Sequence, residues 1–158
     1  MDQKYIDGYV NHILKNVKVY WAHVHQPDTA FGGDKWKLDA ALTEEAGEEL
    51  KALGFTINSK TYGQVEEPYV LVPKKERIVK GIEQKPPVIV GADGKTPFTQ
   101  DIGNGSVCNL KLSCKAWKIK GKWILATYLD AVQIVKHVEY SGGGAFEDCS
   151  EESTDVPF

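Results

Sequence analysis

The sequence of 158 residues predicts a mainly β fold, and three features lead to that prediction. Residues 106–118 alternate between apolar and polar types, which is typical of a long strand with one buried face. Shorter runs rich in β-branched and aromatic residues are bounded by Gly, Pro, Asn and Asp, as strands usually are. Residues 44–53, in contrast, have the composition and the end signals of a helix.

The first half of the chain contains two of the predicted strands. Residues 17–25 (VKVYWAHVH) are β-branched and aromatic, and the QPDTAFGG segment after them has the composition of a loop. The next run, DKWKLDAAL, alternates apolar and polar residues, so it predicts a strand that is buried on one face.

A helix is predicted directly after the second strand. Thr43 is a suitable N-cap, and Glu44 and Glu45 suit the positive end of the helix dipole. Gly54 is placed to end the helix. Two short strands should follow, YVLV at 69–72, where Pro73 limits pairing, and the apolar part of PPVIVGADGK, which leads into an Asp-Gly turn.

The last part of the domain should be a long hairpin. The IKGK segment contains a glycine suited to the turn, and residues 123–140 return as a second long strand. The first strand of this hairpin should bury one face and expose the other. The face expected to be buried consists of Cys108, Leu110, Leu112, Cys114 and Ala116.

Five or six strands with one or two helices suit an OB fold, a five-stranded Greek-key barrel with extra short strands, although other small barrels remain open. Residues 1–140 should form this domain. The SGGG segment predicts a flexible linker, so that residues 141–158 form a linker and a disordered acidic C-terminal tail.

Composition excludes several classes of protein. No apolar run approaches the roughly 20 residues of a membrane helix, and the N-terminal segment lacks the features of a signal peptide. Three cysteines, an odd number, suggest reduced thiols in a cytoplasm. Charge is segregated, because residues 147–158 contain five acids and no Lys or Arg, which leaves 17 acids against 19 bases elsewhere. A basic body with an acidic tail indicates a polyanionic partner, or else a solubilising tail.

The motifs of enzymes are missing from the sequence. It has no Walker A motif, and GNGS at 103–106 precedes a strand, where a tight turn fits better than a phosphate loop. His23 and His25, with Cys108 and Cys114, match no zinc spacing. We therefore expect no catalysis, no cofactor and no metal site.

Lysines interleaved with aromatic residues favour the binding of single-stranded nucleic acid. Lysines neutralise phosphates, and aromatic rings stack on unpaired bases. Each ring could equally belong to the core, and the lysines could form a solvated sheet edge. Trp117 is the best candidate for stacking, because Lys111 and Lys115 lie on the same strand face. The residues expected to contact the nucleic acid are Trp21, Lys35, Trp36, Lys37, Tyr69, Lys74, Lys75, Arg77, Lys80, Lys111, Lys115 and Trp117.

Several blocks resemble a family of bacteriophage single-stranded DNA-binding proteins of the Enterobacter phage Enc34 type, with a more distant similarity to the T7 type. These blocks are VKVYWAHVHQPD, GDKWKLDAAL, IGNGS and KGKWILATYLDAVQIVKHVEY. The tail EESTDVPF resembles the acidic tip of bacterial single-stranded DNA-binding proteins, although Ser150, Ser153 and Thr154 dilute its acids.

The resemblance implies an OB fold that binds single-stranded DNA regardless of sequence during phage replication, recombination or repair, in the cytoplasm of the infected host. It implies that the tail competes with DNA and contacts replication or recombination proteins. A protein-interaction adaptor and an OB-type RNA-binding protein remain alternatives. The residues assigned to protein partners are Asp155, Val156, Pro157 and Phe158.

Overall fold

The computed structural model describes residues 1–28 and 34–140. Within these residues two helices, α1 (Gln3–Asp7) and α2 (Glu44–Leu53), accompany ten strands. The strands are β1 (Val10–Asp28), β2 (Lys35–Ala41), β3 (Asn58–Tyr62), β4 (Val65–Leu71), β5 (Lys74–Glu76), β6 (Ile78–Val79), β7 (Ile82–Glu83), β8 (Val88–Val90), β9 (Ser106–Ile119) and β10 (Lys122–Lys136).

Five strands close into a ring, which confirms the predicted OB barrel. β1 pairs with β2 and β9, β10 pairs with β9 and β5, and β5 pairs with β2. The contact between β5 and β10 is parallel, and the other ring contacts are antiparallel. β4 and β3 extend the sheet beyond β2, β8 lies beside β10, and β6 and β7 form a separate hairpin.

The best-patterned elements lie where the sequence predicts them. β2, α2, β9 and β10 are confirmed, and the Thr43 hydroxyl accepts the N–H of Ala46 at 3.2 Å while Gly54 ends the helix at φ 108°. β1 begins earlier than predicted, at Val10. Its pairing with β9 shifts register between Leu14 and Val17, so a bulge interrupts the alternation that would reveal a single strand.

The barrel core is built mainly from alternate residues of the long hairpin. All five residues of the predicted buried face of β9 are at most 2% exposed. Burial raises the pKa of the Cys108 thiol to about 12 and that of Cys114 to about 11. In β10, the register shifts between Leu129 and Ala131, after which Val132 and Ile134 point inward again.

The linker and the tail, residues 141–158, lie outside the described residues, so the domain boundary at residue 140 and the disordered tail stay predictions. In the part of the chain that is described, neither helix is long and apolar enough to cross a bilayer.

Candidate nucleic-acid interface

One row of residues, each paired with a residue of the neighbouring strand, runs around the outer surface of the closed barrel. The row begins and ends on β1. OB barrels bind oligonucleotides across their second and third strands and through the loops after the first and fourth strands. In this chain those strands are β2 and β5, and the fourth-strand loop is the turn between β9 and β10. The row consists of Asn11, Ser113, Tyr128, Lys74, Lys37 and His23, each paired with the next.

Aromatic side chains cluster along this row. Trp117 is 41% exposed, and its indole Nε1 donates to the Tyr128 hydroxyl at 2.9 Å. The ring of Tyr9, which is 61% exposed, lies 6.0 Å from that of Tyr128. Partial burial raises the pKa of Tyr128. These three rings present exposed aromatic surface beside one another.

Lysines border these rings. Lys115 Nζ lies 5.0 Å from the centre of the Trp117 ring and 5.9 Å from that of Tyr9, and it donates to the Ile6 carbonyl at 3.1 Å. Lys37 and Lys74 occupy paired positions on β2 and β5, so the two lysines are neighbours in the sheet. We call the surface formed by Tyr9, Lys37, Lys74, Lys115, Trp117 and Tyr128 the lysine–aromatic face.

Five of the predicted cations are not among the residues that define the lysine–aromatic face. One of them, Arg77, is engaged in ion pairs. Arg77 Nε contacts Asp34 at 2.5 Å and Arg77 Nη1 contacts Glu83 at 3.3 Å, so two acids balance its charge. Lys35 pairs with Glu76 in the sheet register, and Lys75 lies opposite Trp36, partly buried. The other two cations are exposed, Lys80 in the turn between β6 and β7 and Lys111 on β9.

Two predicted aromatic residues pack within the protein. Trp36 is 4% exposed, and its Nε1 has no hydrogen-bond partner among residues 1–28 and 34–140. Tyr69 lies against Gly47 of α2, where an added Cβ would meet its ring at 2.4 Å, and its hydroxyl donates to Glu48 at 2.8 Å. The core alternative therefore fits Trp36, and Tyr69 is half-buried beside α2.

The projecting turn of the long hairpin carries a further ring with a lysine. Lys120 and Gly121 both have positive φ, 50° and 80°, as a tight hairpin turn requires. Trp123 is 41% exposed, and Lys118 Nζ lies 5.8 Å from its ring centre.

Two residues of the lysine–aromatic face, Tyr9 and Tyr128, are not among those that the sequence predicts for the site. Tyr128 could have been found, because the turn at Lys120 and Gly121 fixes the hairpin register and places it on the same face as Ser113 and Trp117. Tyr9 comes just before β1, in a segment for which no strand was expected.

Trp21 lies on the other side of β2 from the lysine–aromatic face. It is 50% exposed and contacts the ring edge of Tyr62, with centroids 4.7 Å apart. The two regions are joined through the pairing of His23 with Lys37.

Comparison with known proteins finds similarity in structure alone. No family model and no curated protein matches the sequence. The single-stranded DNA-binding protein of bacteriophage Enc34 superposes with a TM-score of 0.59 and 12% identity, over 94% of this chain and 91% of that one.

Two further structures show the same likeness. The Enc34 protein in complex with single-stranded DNA gives a TM-score of 0.57 at 12% identity, over 86% of this chain and 90% of the other. The single-stranded DNA-binding protein encoded by bacteriophage T7 gives 0.55 at 15% identity, over 89% and 98%. The closed barrel described above is therefore the fold of bacteriophage single-stranded DNA-binding proteins.

Proposed function

We propose that this chain is a non-catalytic protein that binds single-stranded DNA through its lysine–aromatic face. The observation that carries the proposal is the grouping of Trp117, Tyr128 and Tyr9 around Lys115 on the outer surface of an OB barrel. One of the structures with this fold was solved with single-stranded DNA, which supports the same ligand here.

The rings would stack on unpaired bases, each stacked base contributing about 1–3 kcal/mol whatever its identity. Lys74 and Lys37, together with Lys111, which lies on the same side of β9 as Lys115, would neutralise phosphates and release counterions. Because stacking and charge neutralisation do not depend on base identity, binding is independent of sequence. A duplex hides its base faces, so it would retain only the phosphate contacts.

Such a protein would act in the cytoplasm of an infected bacterium, where replication, recombination and repair expose single strands. The acidic residues of the tail have the charge of DNA. We propose that they compete for the same lysines and that Asp155, Val156, Pro157 and Phe158 then contact protein partners.

The direct test is competition between three unlabelled oligomers of equal length, namely single-stranded DNA, duplex DNA and RNA, for a labelled DNA strand bound to the full chain. We expect single-stranded DNA to compete best. Stronger competition by RNA would favour the RNA-binding alternative. No binding of any oligomer, together with retention of a replication protein through the tail, would favour the adaptor.

Deleting residues 147–158 tests the role of the tail. Affinity for DNA at low salt should rise, because five carboxylates that repel the phosphates are removed. A variant in which those five acids are replaced by Asn and Gln keeps the length and should bind as the deletion does. Unchanged affinity in both variants would contradict the competition.

A further inference from the structure

A groove of about 960 Å³ lies beside Trp21 and adjoins the lysine–aromatic face at His23. Its walls come from β1 and from the segments around residues 101–104 and 138–140. Trp21 and Tyr140, each 50% exposed, supply aromatic surface to this groove. His23 also lines it and is paired with Lys37, so the groove continues from the lysine–aromatic face.

The backbone holds Trp21 in an uncommon conformation. Its φ is 49°, in the left-handed region that bulky residues rarely adopt. Its N–H donates to the Asn104 side-chain oxygen at 2.8 Å, and the β1–β2 register shifts between Tyr20 and His23. The bulge therefore sets the direction of the Trp21 indole, which is exposed. Backbone strain of this kind is often found at binding sites.

The side chain of Trp21 is held as well. The ring edge of Tyr62 contacts it, and Lys60 Nζ lies 5.8 Å from its centre. Tyr62 is stacked on Tyr20 with centroids 4.0 Å apart, and the Tyr20 hydroxyl donates to Glu67 at 2.7 Å.

Asp39 joins the two neighbours of Trp21. One of its carboxylate oxygens accepts from the Tyr62 hydroxyl at 2.6 Å and from Lys60 Nζ at 3.1 Å. Asp39 is only 1% exposed, although it lies on the outer side of β2 opposite Tyr20. A buried ion pair contributes little net stability compared with apolar packing, so its value here is to fix the positions of Tyr62 and Lys60.

The chemistry of the groove suits a base better than a phosphate. Asp101 and Glu139 line it, and their carboxylates would repel a phosphodiester. A neutral nucleobase meets no such repulsion, and its flat face can stack on an exposed indole. Lys60, whose Nζ lies 5.8 Å from the centre of the Trp21 ring, is itself paired with Asp39.

We propose that this groove is a second base-binding site, in which an unpaired nucleobase stacks on Trp21, and that Asp39 is a positioning residue for that ring. The proposal rests on the proposed function, since the base belongs to the strand bound at the lysine–aromatic face. Tyr62 and Lys60 transmit the effect of Asp39 through their contacts with the indole.

The first experiment compares Trp21→Ala with the unaltered full chain on two ligands, an oligothymidylate and an abasic strand of the same length and charge. We expect about 5- to 150-fold weaker binding of the oligothymidylate and less than about 2-fold change on the abasic strand. Val88→Ala, which trims a 60% exposed side chain on β8, serves as the control and should change neither.

Equal losses on the two ligands, or no loss on oligothymidylate, would overturn the base site. If the unaltered chain bound neither ligand, the proposed function itself would fail, which is a separate outcome.

The second experiment is a double-mutant cycle between Asp39→Asn and Trp21→Ala. If Asp39 acts through Trp21, Asp39→Asn weakens oligothymidylate binding several-fold in the native background and hardly at all when Trp21 is absent. Equal effects in both backgrounds would refute the positioning role. Lys60→Met replaces Asp39→Asn in the cycle if the latter does not fold, and the same two outcomes decide.

Discussion

Replacing Trp117 by alanine tests whether its ring stacks on a base or only stabilises the fold. The residue is 41% exposed, so the variant also loses the apolar contacts of the buried part of the ring. Its hydrogen bond to Tyr128 contributes about 0.5–1.5 kcal/mol and its contact with Lys115 about 0.5–1 kcal/mol at an exposed site. Loss of these two contacts lowers the free energy of unfolding by about 1–2.5 kcal/mol, and loss of the buried part of the ring adds to this.

Binding by the folded protein should weaken as well, which a purely structural ring would not cause. Loss of one stacked base costs about 1–3 kcal/mol, so the dissociation constant for an oligothymidylate should rise about 5- to 150-fold. Fluorescence anisotropy of a labelled strand measures this, and urea denaturation measures stability.

Trp36→Phe is the matched control, because that indole is buried. It should alter stability and leave the affinity of the folded protein unchanged. Native affinity in Trp117→Ala, or a loss of affinity that merely follows the unfolded fraction, would refute the assignment of Trp117 to the interface.

Three further predictions concern the barrel that carries the face. Gly103→Ala should destabilise the protein by about 1–3 kcal/mol in thermal unfolding, because the new Cβ would lie 2.4 Å from the Glu139 carbonyl oxygen, whereas Gly8→Ala, with open space, should not. The free energy of unfolding should fall between about pH 10 and pH 12. Burial and the hydrogen bond to Glu67 raise the pKa of Tyr20 to about 12, so the folded state holds this proton more tightly than the unfolded state does. A Tyr20→Phe variant that loses as much stability over this pH range would contradict this explanation. In a Cys149→Ser variant the two remaining thiols should react with a thiol reagent only after unfolding, and rapid labelling of the folded protein would refute their burial.

The sequence predicts the elements whose patterns are uninterrupted. β9 alternates from Cys108 to Ala116 and has a tight turn at its end, so both its buried face and its hairpin partner can be predicted. Both ends of α2 can be predicted as well, because Thr43 and Gly54 are local signals for the start and the end of a helix.

Bulges and tertiary contacts limit the rest. The register shift between Leu14 and Val17 hides the first half of β1, and the one beside Trp21 decides which way that ring points. For Trp36, alternation alone gives two strand faces without saying which is inside, and the structure shows that the tryptophan face is buried. Tyr69 packs against α2, which is distant from it in sequence. The local sequence pattern around Tyr69 therefore does not predict this contact.

The salt dependence of oligothymidylate binding by the full chain tests the central claim most directly. About three or four lysines that contact phosphates give a slope of about −2 to −3 in a plot of log K against log salt concentration. Quenching of tryptophan fluorescence should accompany binding, since exposed indoles stack on bases. No binding at low salt, or a slope near zero, would contradict a lysine–aromatic interface for single-stranded DNA.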